Sequence, residues 1–239
     1  MAAEKRVALV TGGAKRVGRA IVERLIQGGF QVIFTYHKSP PSERDWAFEV
    51  KALPLQIDLT NLPHAVDVID RVVRDLSNRL DVLVNNASLY ENSPLTTVTL
   101  DQVRRLNTIH VEAPLLLAQR FADRLRASRG HIVNMIDLLA ERPWPQYLAY
   151  CASKAALANL TLGLARELAP EVTVNGIAPG VVEWPADYPQ AEREKYLKRV
   201  PLARAGTPQD VAELVHFLVT GGSYIAGQII RLDGGRSIT

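Results

Sequence analysis

Val7-Ala8-Leu9-Val10-Thr11-Gly12-Gly13-Ala14-Lys15-Arg16-Val17-Gly18 decides how this chain folds. Val7 to Val10, four apolar residues in a row, read as a strand buried on both sides. The glycines that follow read as a turn, and a helix is expected from Val17 to about Gln27, ended by Gly28-Gly29. A glycine turn between strand and helix lets the backbone approach a pyrophosphate, and the helix N-terminus supplies free amides and a positive dipole end. Arg16 stands where a glycine would complete Gly-x-x-x-Gly-x-Gly. Its guanidinium is either a surface replacement or a group aimed at phosphate or substrate.

Strand and helix alternate along the rest of the chain. Further strands are expected at Gln31 to Tyr36, Leu55 to Ile57, Leu80 to Asn85, His131 to Met135, Val172 to Ile177 and Gly227 to Leu232. Helices are expected after Pro63, from Leu100 to Leu125, and from the Tyr150 region to about Leu168. This order predicts an α/β fold: a doubly wound parallel sheet with helices on both faces, in one domain spanning 1–239. The loosest stretch is 181–200, rich in charge and holding Pro185 and Pro189, and it reads as a mobile lid over a site or as a surface insertion.

Composition narrows the function classes. With 47% hydrophobic and 22% charged residues the chain is an ordinary globular one. A net charge of +3, with Lys and Arg scattered, points away from nucleic acid and supports at most a mild preference for anionic ligands. Cys151 is the one cysteine, so no intrachain disulfide forms and a reducing compartment is expected. Met1 to Val10 lacks the apolar core of a signal peptide, and no apolar run approaches the ~20 residues of a spanning helix. The expected setting is the cytoplasm, without a membrane partner. The five histidines, at 37, 64, 110, 131 and 216, show no metal-ligand spacing.

Tyr150 and Lys154 stand four apart and share one helical face. A cation beside a phenol stabilises the phenolate, so a lowered tyrosine pKa and a usable acid/base group are expected there. Asp137 lies thirteen positions before Tyr150 and reads either as part of that chemistry or as a turn cap. The second strand ends in Tyr36-His37-Lys38-Ser39, with no acid to hold a ribose 2′-hydroxyl. Those groups suit a 2′-phosphate, which favours NADPH over NADH.

Taken in order, Thr11-Gly12 to Gly18, Asp58, Asn85-Asn86-Ala87, Asn107, Tyr150/Lys154, Asn175, Pro179-Gly180 and Gly227-Gln228 to Asp233-Gly234-Gly235 resemble the short-chain dehydrogenase/reductase family over nearly the whole chain. The resemblance implies a single Rossmann-type domain, a nicotinamide cofactor, hydride transfer and a homotetramer. Asp137 at the usual catalytic serine and Arg16 at the middle glycine resemble the pteridine reductases and the related bacterial dihydromonapterin/dihydrofolate reductases. By that resemblance Asp137, Tyr150, Lys154 and Asn107 are the catalytic group, with Asn107 anchoring water behind the lysine. Cofactor contacts fall on Gly12, Arg16, Val17, Tyr36, His37, Lys38, Ser39, Asp58 and Leu59, then on Asn86, Ala87, Ser88, Tyr150, Lys154, Pro179, Gly180 and Val182. Substrate contacts fall on Arg16, Ser88, Tyr90, Asp137, Tyr147, Tyr150 and Trp184. The implied activity is NADPH-dependent reduction of a pterin or folate C=N bond. The alternatives are a general carbonyl reductase, which would be expected to keep the serine and glycine, and a non-catalytic dinucleotide sensor, which would be expected to lose Tyr150, Lys154 and Asn107.

Overall fold

In the computed structural model, which describes residues 5–38, 52–184 and 188–239, β1 (Val7–Val10) is buried at every position. The chain continues through α1 (Arg16–Gln27), β2 (Gln31–Tyr36), β3 (Leu53–Gln56), α2 (Leu62–Leu76) and β4 (Val82–Asn85). Then come α3 (Leu100–Asn107), a π turn (Thr108–Glu112), α4 (Ala113–Ser128), β5 (His131–Met135), a 3₁₀ turn (Leu138–Ala140) and α5 (Leu148–Glu167). The final elements are β6 (Thr173–Pro179), α6 (Gln190–Leu197), α7 (Pro208–Thr220), β7 (Ile229–Leu232) and a 3₁₀ turn (Arg236–Ile238). One seven-stranded sheet results, in the order β3-β2-β1-β4-β5-β6-β7, and each neighbouring pair is parallel.

Strand pleating divides the apolar residues between two cores. Val7 and Leu9 face α2, α4 and α5, through side chains such as Ile69, Phe121 and Leu164. Ala8 and Val10 face α1 and α7, through Ile21, Leu25, Val211 and Val215. Helices therefore cover both faces, which is why the strands read as continuous apolar runs. Each Leu, Ile or Val fully buried in this way contributes about 1.5–3 kcal/mol relative to exposure.

Four expectations change. The helix expected from Leu100 to Leu125 is broken by the π turn, in which the Ala113 N–H reaches the Thr108 carbonyl five residues back. Pro114 has no N–H for the carbonyl four residues before it, so a regular α ladder cannot close there. The tract at 181–200 is partly regular, because α6 lies within it, though none of the residues of α6 is buried. The α7 helix was not anticipated, yet its signals are local. Val211, Ala212, Val215, Leu218 and Val219 form one apolar stripe, and the Thr207 hydroxyl accepts from Asp210 N while the Asp210 carboxylate accepts from Thr207 N.

The 20-residue α5 is, among the described residues, long and apolar enough by composition to cross a membrane, against the expectation that no run comes close. Its apolarity has a different use here, since Tyr150, Cys151, Leu157, Leu164 and Ala165 are buried within the fold.

Because α7 supplies much of one core, its capping box should be measurable. Thr207→Ala is expected to cost about 1 kcal/mol and to lower Tm by about 2–4 °C for a chain of this size. An unchanged midpoint in thermal and urea unfolding would show that packing alone sets the start of α7.

Candidate active site

The strand order reverses between β1 and β4, so the loops leaving these two strands diverge and open a crevice at their carboxyl ends. Thr11 and Asn86 stitch that divide. The Thr11 hydroxyl accepts from Asn86 N and Ala87 N, both at 3.0 Å. The Asn86 side chain donates to the carbonyls of Thr11 at 2.9 Å and Gly12 at 3.0 Å. Backbone runs so close here that a Cβ on Gly12, whose φ is +67°, would stand 2.9 Å from Ala87 Cα. A Cβ on Gly18 would overlap the Gly12 carbonyl oxygen.

Arg16 keeps the left-handed backbone that a glycine would take, with φ at 53°. For a residue with a side chain this costs about 1–2 kcal/mol. Its Nε lies 2.7 Å from Glu183 Oε2, joining the turn after β1 to the segment after β6. Both side chains are well exposed, so the pair is worth under ~1 kcal/mol and opens readily.

A cleft of about 740 Å³ runs along this crevice. Gly12, Arg16, Val17, Tyr36, His37 and Lys38 line one part of it, with Asp58 and Leu59 beside them. Asn86, Ala87, Ser88, Tyr150, Lys154 and Pro179 line another part. Ser39 lies outside the described residues. Gly180 and Val182 are not among the residues that line the cleft. Val182 packs with the α1/α7 core, and the space beside Gly180 is filled by Tyr196 Oη and Asp233. At the β2 end His37 Nε2 lies 3.5 Å from Asp58 Oδ2, and the Thr60 hydroxyl and amide hold the Asp58 carboxyl below its ordinary range.

At the other end Asp137 performs two tasks. One carboxylate oxygen caps the 3₁₀ turn, accepting from Leu139 N at 2.8 Å. The other accepts from the Tyr150 hydroxyl at 2.8 Å. The cap expected of Asp137 is present, and it leaves the second oxygen free to meet Tyr150. Lys154 is 2% exposed, and its Nζ donates to the Met135 carbonyl at 2.8 Å while lying 5.8 Å from the Tyr150 ring centre.

That arrangement reverses one expectation. Tyr150 is not pulled toward phenolate; burial first, and Asp137 second, raise its pKa well above the ordinary value. Burial also pushes the Asp137 carboxyl up, against the hydrogen bonds from Leu139 and Tyr150. Desolvation outweighs the lysine here, because Lys154 itself loses affinity for its proton in the same dry surroundings. Tyr150 is thus held in its neutral, protonated form. Asn107, at the end of α3, donates its amide to the Val103 carbonyl one turn back.

Aromatic rings gather beside this pair. Tyr90 stacks on Tyr147 at 4.7 Å and meets Tyr150 edge-on at 4.9 Å. Trp184 lies 4.9 Å from Tyr188 and 5.4 Å from Tyr196. Tyr188 and Tyr196 were not singled out from the sequence, although two tyrosines in so polar a tract were a usable signal. His110, buried against Tyr150, gave no signal, because its facing depends on the π turn. Among the described residues no group of three or more His, Cys, Asp or Glu comes together to hold a metal.

The family model described as enoyl-(acyl carrier protein) reductase matches residues 12–237. The chain is 32% identical to dihydromonapterin reductase of Klebsiella pneumoniae subsp. pneumoniae, covering 98% of both chains. It is 33% identical to pteridine reductase 1 of Leishmania tarentolae, over 98% of this chain and 96% of the other. The chain belongs to the short-chain dehydrogenase/reductase family. A solved acetoin dehydrogenase from Enterobacter cloacae superposes with a TM-score of 0.89 at 32% identity, covering 99% of this chain and 97% of that one.

Membership makes this short-chain dehydrogenase/reductase an oxidoreductase of a family that uses a nicotinamide dinucleotide. The residues present fit one. The turn has no room for side chains at Gly12 or Gly18, and the cleft falls in the usual range of ~300–1,000 Å³ for a ligand site.

Lys154 makes the dryness of the site measurable. Burial lowers its pKa from 10.5 to about 8. Between these two values the unfolded chain binds a proton that the folded chain does not, so stability from this group rises with pH and is lost as pH falls through about 8. The shift corresponds to roughly 3 kcal/mol. Lys154→Met should therefore be favoured over wild type at pH 7 and lose most of that advantage by pH ~10. Urea unfolding of both proteins at the two pH values checks this; a constant difference would mean that the ammonium is not desolvated.

Proposed function

We propose that this chain is an NADPH-dependent reductase of a pterin or dihydrofolate C=N bond. The observation that carries the reading is the hydrogen bond from Tyr150 to Asp137, a carboxyl group where a simple carbonyl reductase would present a serine hydroxyl. An ionised carboxylate only accepts hydrogen bonds and gives nothing to a ketone oxygen. Reduction of C=N requires a proton on nitrogen as well as hydride on carbon, and a buried carboxyl of raised pKa suits that proton delivery.

When bound, the reduced dinucleotide supplies the hydride. The roles assigned to the chain's own residues are those that the family resemblance implies. Tyr150 is a proton donor, and Asp137 relays a proton through water to the ring nitrogen. Lys154 holds the nicotinamide ribose, and Asn107 anchors water behind it. Arg16 opens from Glu183 to meet a pterin oxygen or a cofactor phosphate. Tyr90 and Tyr147 present flat faces to a planar ring, with Ser88 and Trp184 at its edges. His37, Lys38 and Ser39 take the 2′-phosphate. A homotetramer is part of the same proposal, checked by sedimentation. The likeness to acetoin dehydrogenase favours a second reading, reduction of a small carbonyl compound.

Turnover with NADPH on dihydrobiopterin, dihydromonapterin, dihydrofolate, a 3-oxoacyl thioester and a small diketone separates the two readings. Asp137→Ser is expected to depress dihydropterin reduction while sparing or improving that of the diketone. The readout is the ratio of kcat/KM values, in which common losses of folding or cofactor binding cancel. An equal fall in both activities would return Asp137 to its capping role alone.

NADPH is expected to bind more tightly than NADH, since each charge-assisted contact to the phosphate is worth about 1.5–3 kcal/mol. Joint replacement of His37 and Lys38 by alanine should weaken NADPH at least about tenfold more than NADH, one such contact being a tenfold change or more. Fluorescence titration measures both constants, and equal values in the wild-type protein would remove the NADPH assignment.

A further inference from the structure

His110 sits in the π turn with 1% of its surface exposed, and it links three elements around Tyr150. Its Nε2 is 3.2 Å from Leu89 N and 2.8 Å from Ser88 Oγ, both on the segment after β4. Its Nδ1 is 2.8 Å from Ser153 Oγ on α5. Ser153 in turn donates to the Tyr150 carbonyl at 2.7 Å. The ring stands edge-on to Tyr150, with centres 5.5 Å apart and planes at 87°.

One of these bonds settles the direction of the others. The Leu89 N–H can only donate, so Nε2 carries a lone pair and the imidazole proton resides on Nδ1. Nδ1–H then donates to Ser153, whose own proton goes to the Tyr150 carbonyl. The Ser88 hydroxyl, facing a bare Nε2, gives its proton to that nitrogen. Burial, with the charge of Lys154, pushes the His110 pKa down to about 2, so the ring stays neutral and keeps this arrangement at working pH.

We propose that His110 is a positioning residue that takes up the Ser88 proton and leaves the Ser88 oxygen facing the cleft as a hydrogen-bond acceptor, so that the site selects substrates with N–H donors. Ser88 and Tyr150 both line the cleft. Of the two hydroxyls, Tyr150 is turned to Asp137, and Ser88 to His110 with its oxygen also within hydrogen-bond reach of the Tyr150 hydroxyl. A ketone oxygen has only lone pairs and meets an acceptor at Ser88. A dihydropterin carries ring and exocyclic N–H groups that meet it with the right polarity. The substrate half of this inference rests on the pteridine reading; the proton position does not.

The test has two arms. Nitrogen-15 NMR of the histidine-labelled full chain, with and without NADPH, reads the tautomer of each imidazole. His110 is assigned by replacing His37, His64, His131 and His216 one at a time with glutamine. The expected result is an Nδ1–H tautomer that does not titrate from about pH 5 to 8, the window in which ordinary imidazoles do. A proton on Nε2, or titration in that window, would free the Ser88 proton and overturn the proposal. The second arm compares kcat/KM for dihydropterin over diketone in Ser88→Ala, His110→Phe and the double variant. His110→Phe should lower this ratio about three- to tenfold, the worth of one hydrogen bond, and should add nothing once Ser88 is alanine. An unchanged ratio, or an equal loss in both backgrounds, would show that His110 does not act through Ser88. If the wild-type protein reduces no pterin, the substrate half falls with the pteridine reading, while the tautomer still decides the role of Ser88.

Discussion

The molecule depends on the reversal of strand order between β1 and β4. Two neighbouring parallel strands send their chains in opposite directions there, and no helix can roof the gap. Thr11 and Asn86 bridge it with hydrogen bonds from hydroxyl, amide and backbone. Those bonds satisfy polar groups that the turn would otherwise leave unpaired. They also bring the glycine turn and Ala87 so near that side chains are excluded. The cleft is a direct consequence of that approach.

Desolvation sets the chemistry at the far end. Tyr150, Asp137 and Lys154 are all taken out of water, and each is displaced toward its neutral form. A lysine in such a place does not make a phenolate of its neighbour. It makes the site costly to charge, which holds Tyr150 and Asp137 toward their protonated forms. The Asp137–Tyr150 hydrogen bond aligns the two groups, while the 3₁₀ cap on the other carboxylate oxygen keeps Asp137 from turning away.

Fold alone leaves the substrate open, since relatives of similar identity are named for pterins and a close structural neighbour for acetoin. Discrimination must come from side chains that differ in hydrogen-bond polarity. Arg16 illustrates how lightly some of these are held. Its strained backbone is retained, yet its exposed bond to Glu183 is weak enough for a ligand to replace.

The architecture was legible in the chain because its signals are local. Apolar runs such as Val7–Val10 and Val82–Asn85, a glycine turn and the helical spacing of α1 each report on a few consecutive residues, and their alternation implies a parallel sheet covered on both faces. The α7 helix is equally local in its cap and stripe. Only the tertiary structure could show that Asp137 both caps a turn and meets Tyr150, that burial overrides Lys154 in setting the tyrosine's proton affinity, and that Val182 faces the core. His110 is the clearest case. Its neighbours Ser88 and Ser153 are 22 and 43 residues away in sequence, and one π turn decides which way it points. Periodicity reports the face a residue would take in a regular helix; desolvation and hydrogen-bond polarity depend on what the folded chain brings from elsewhere.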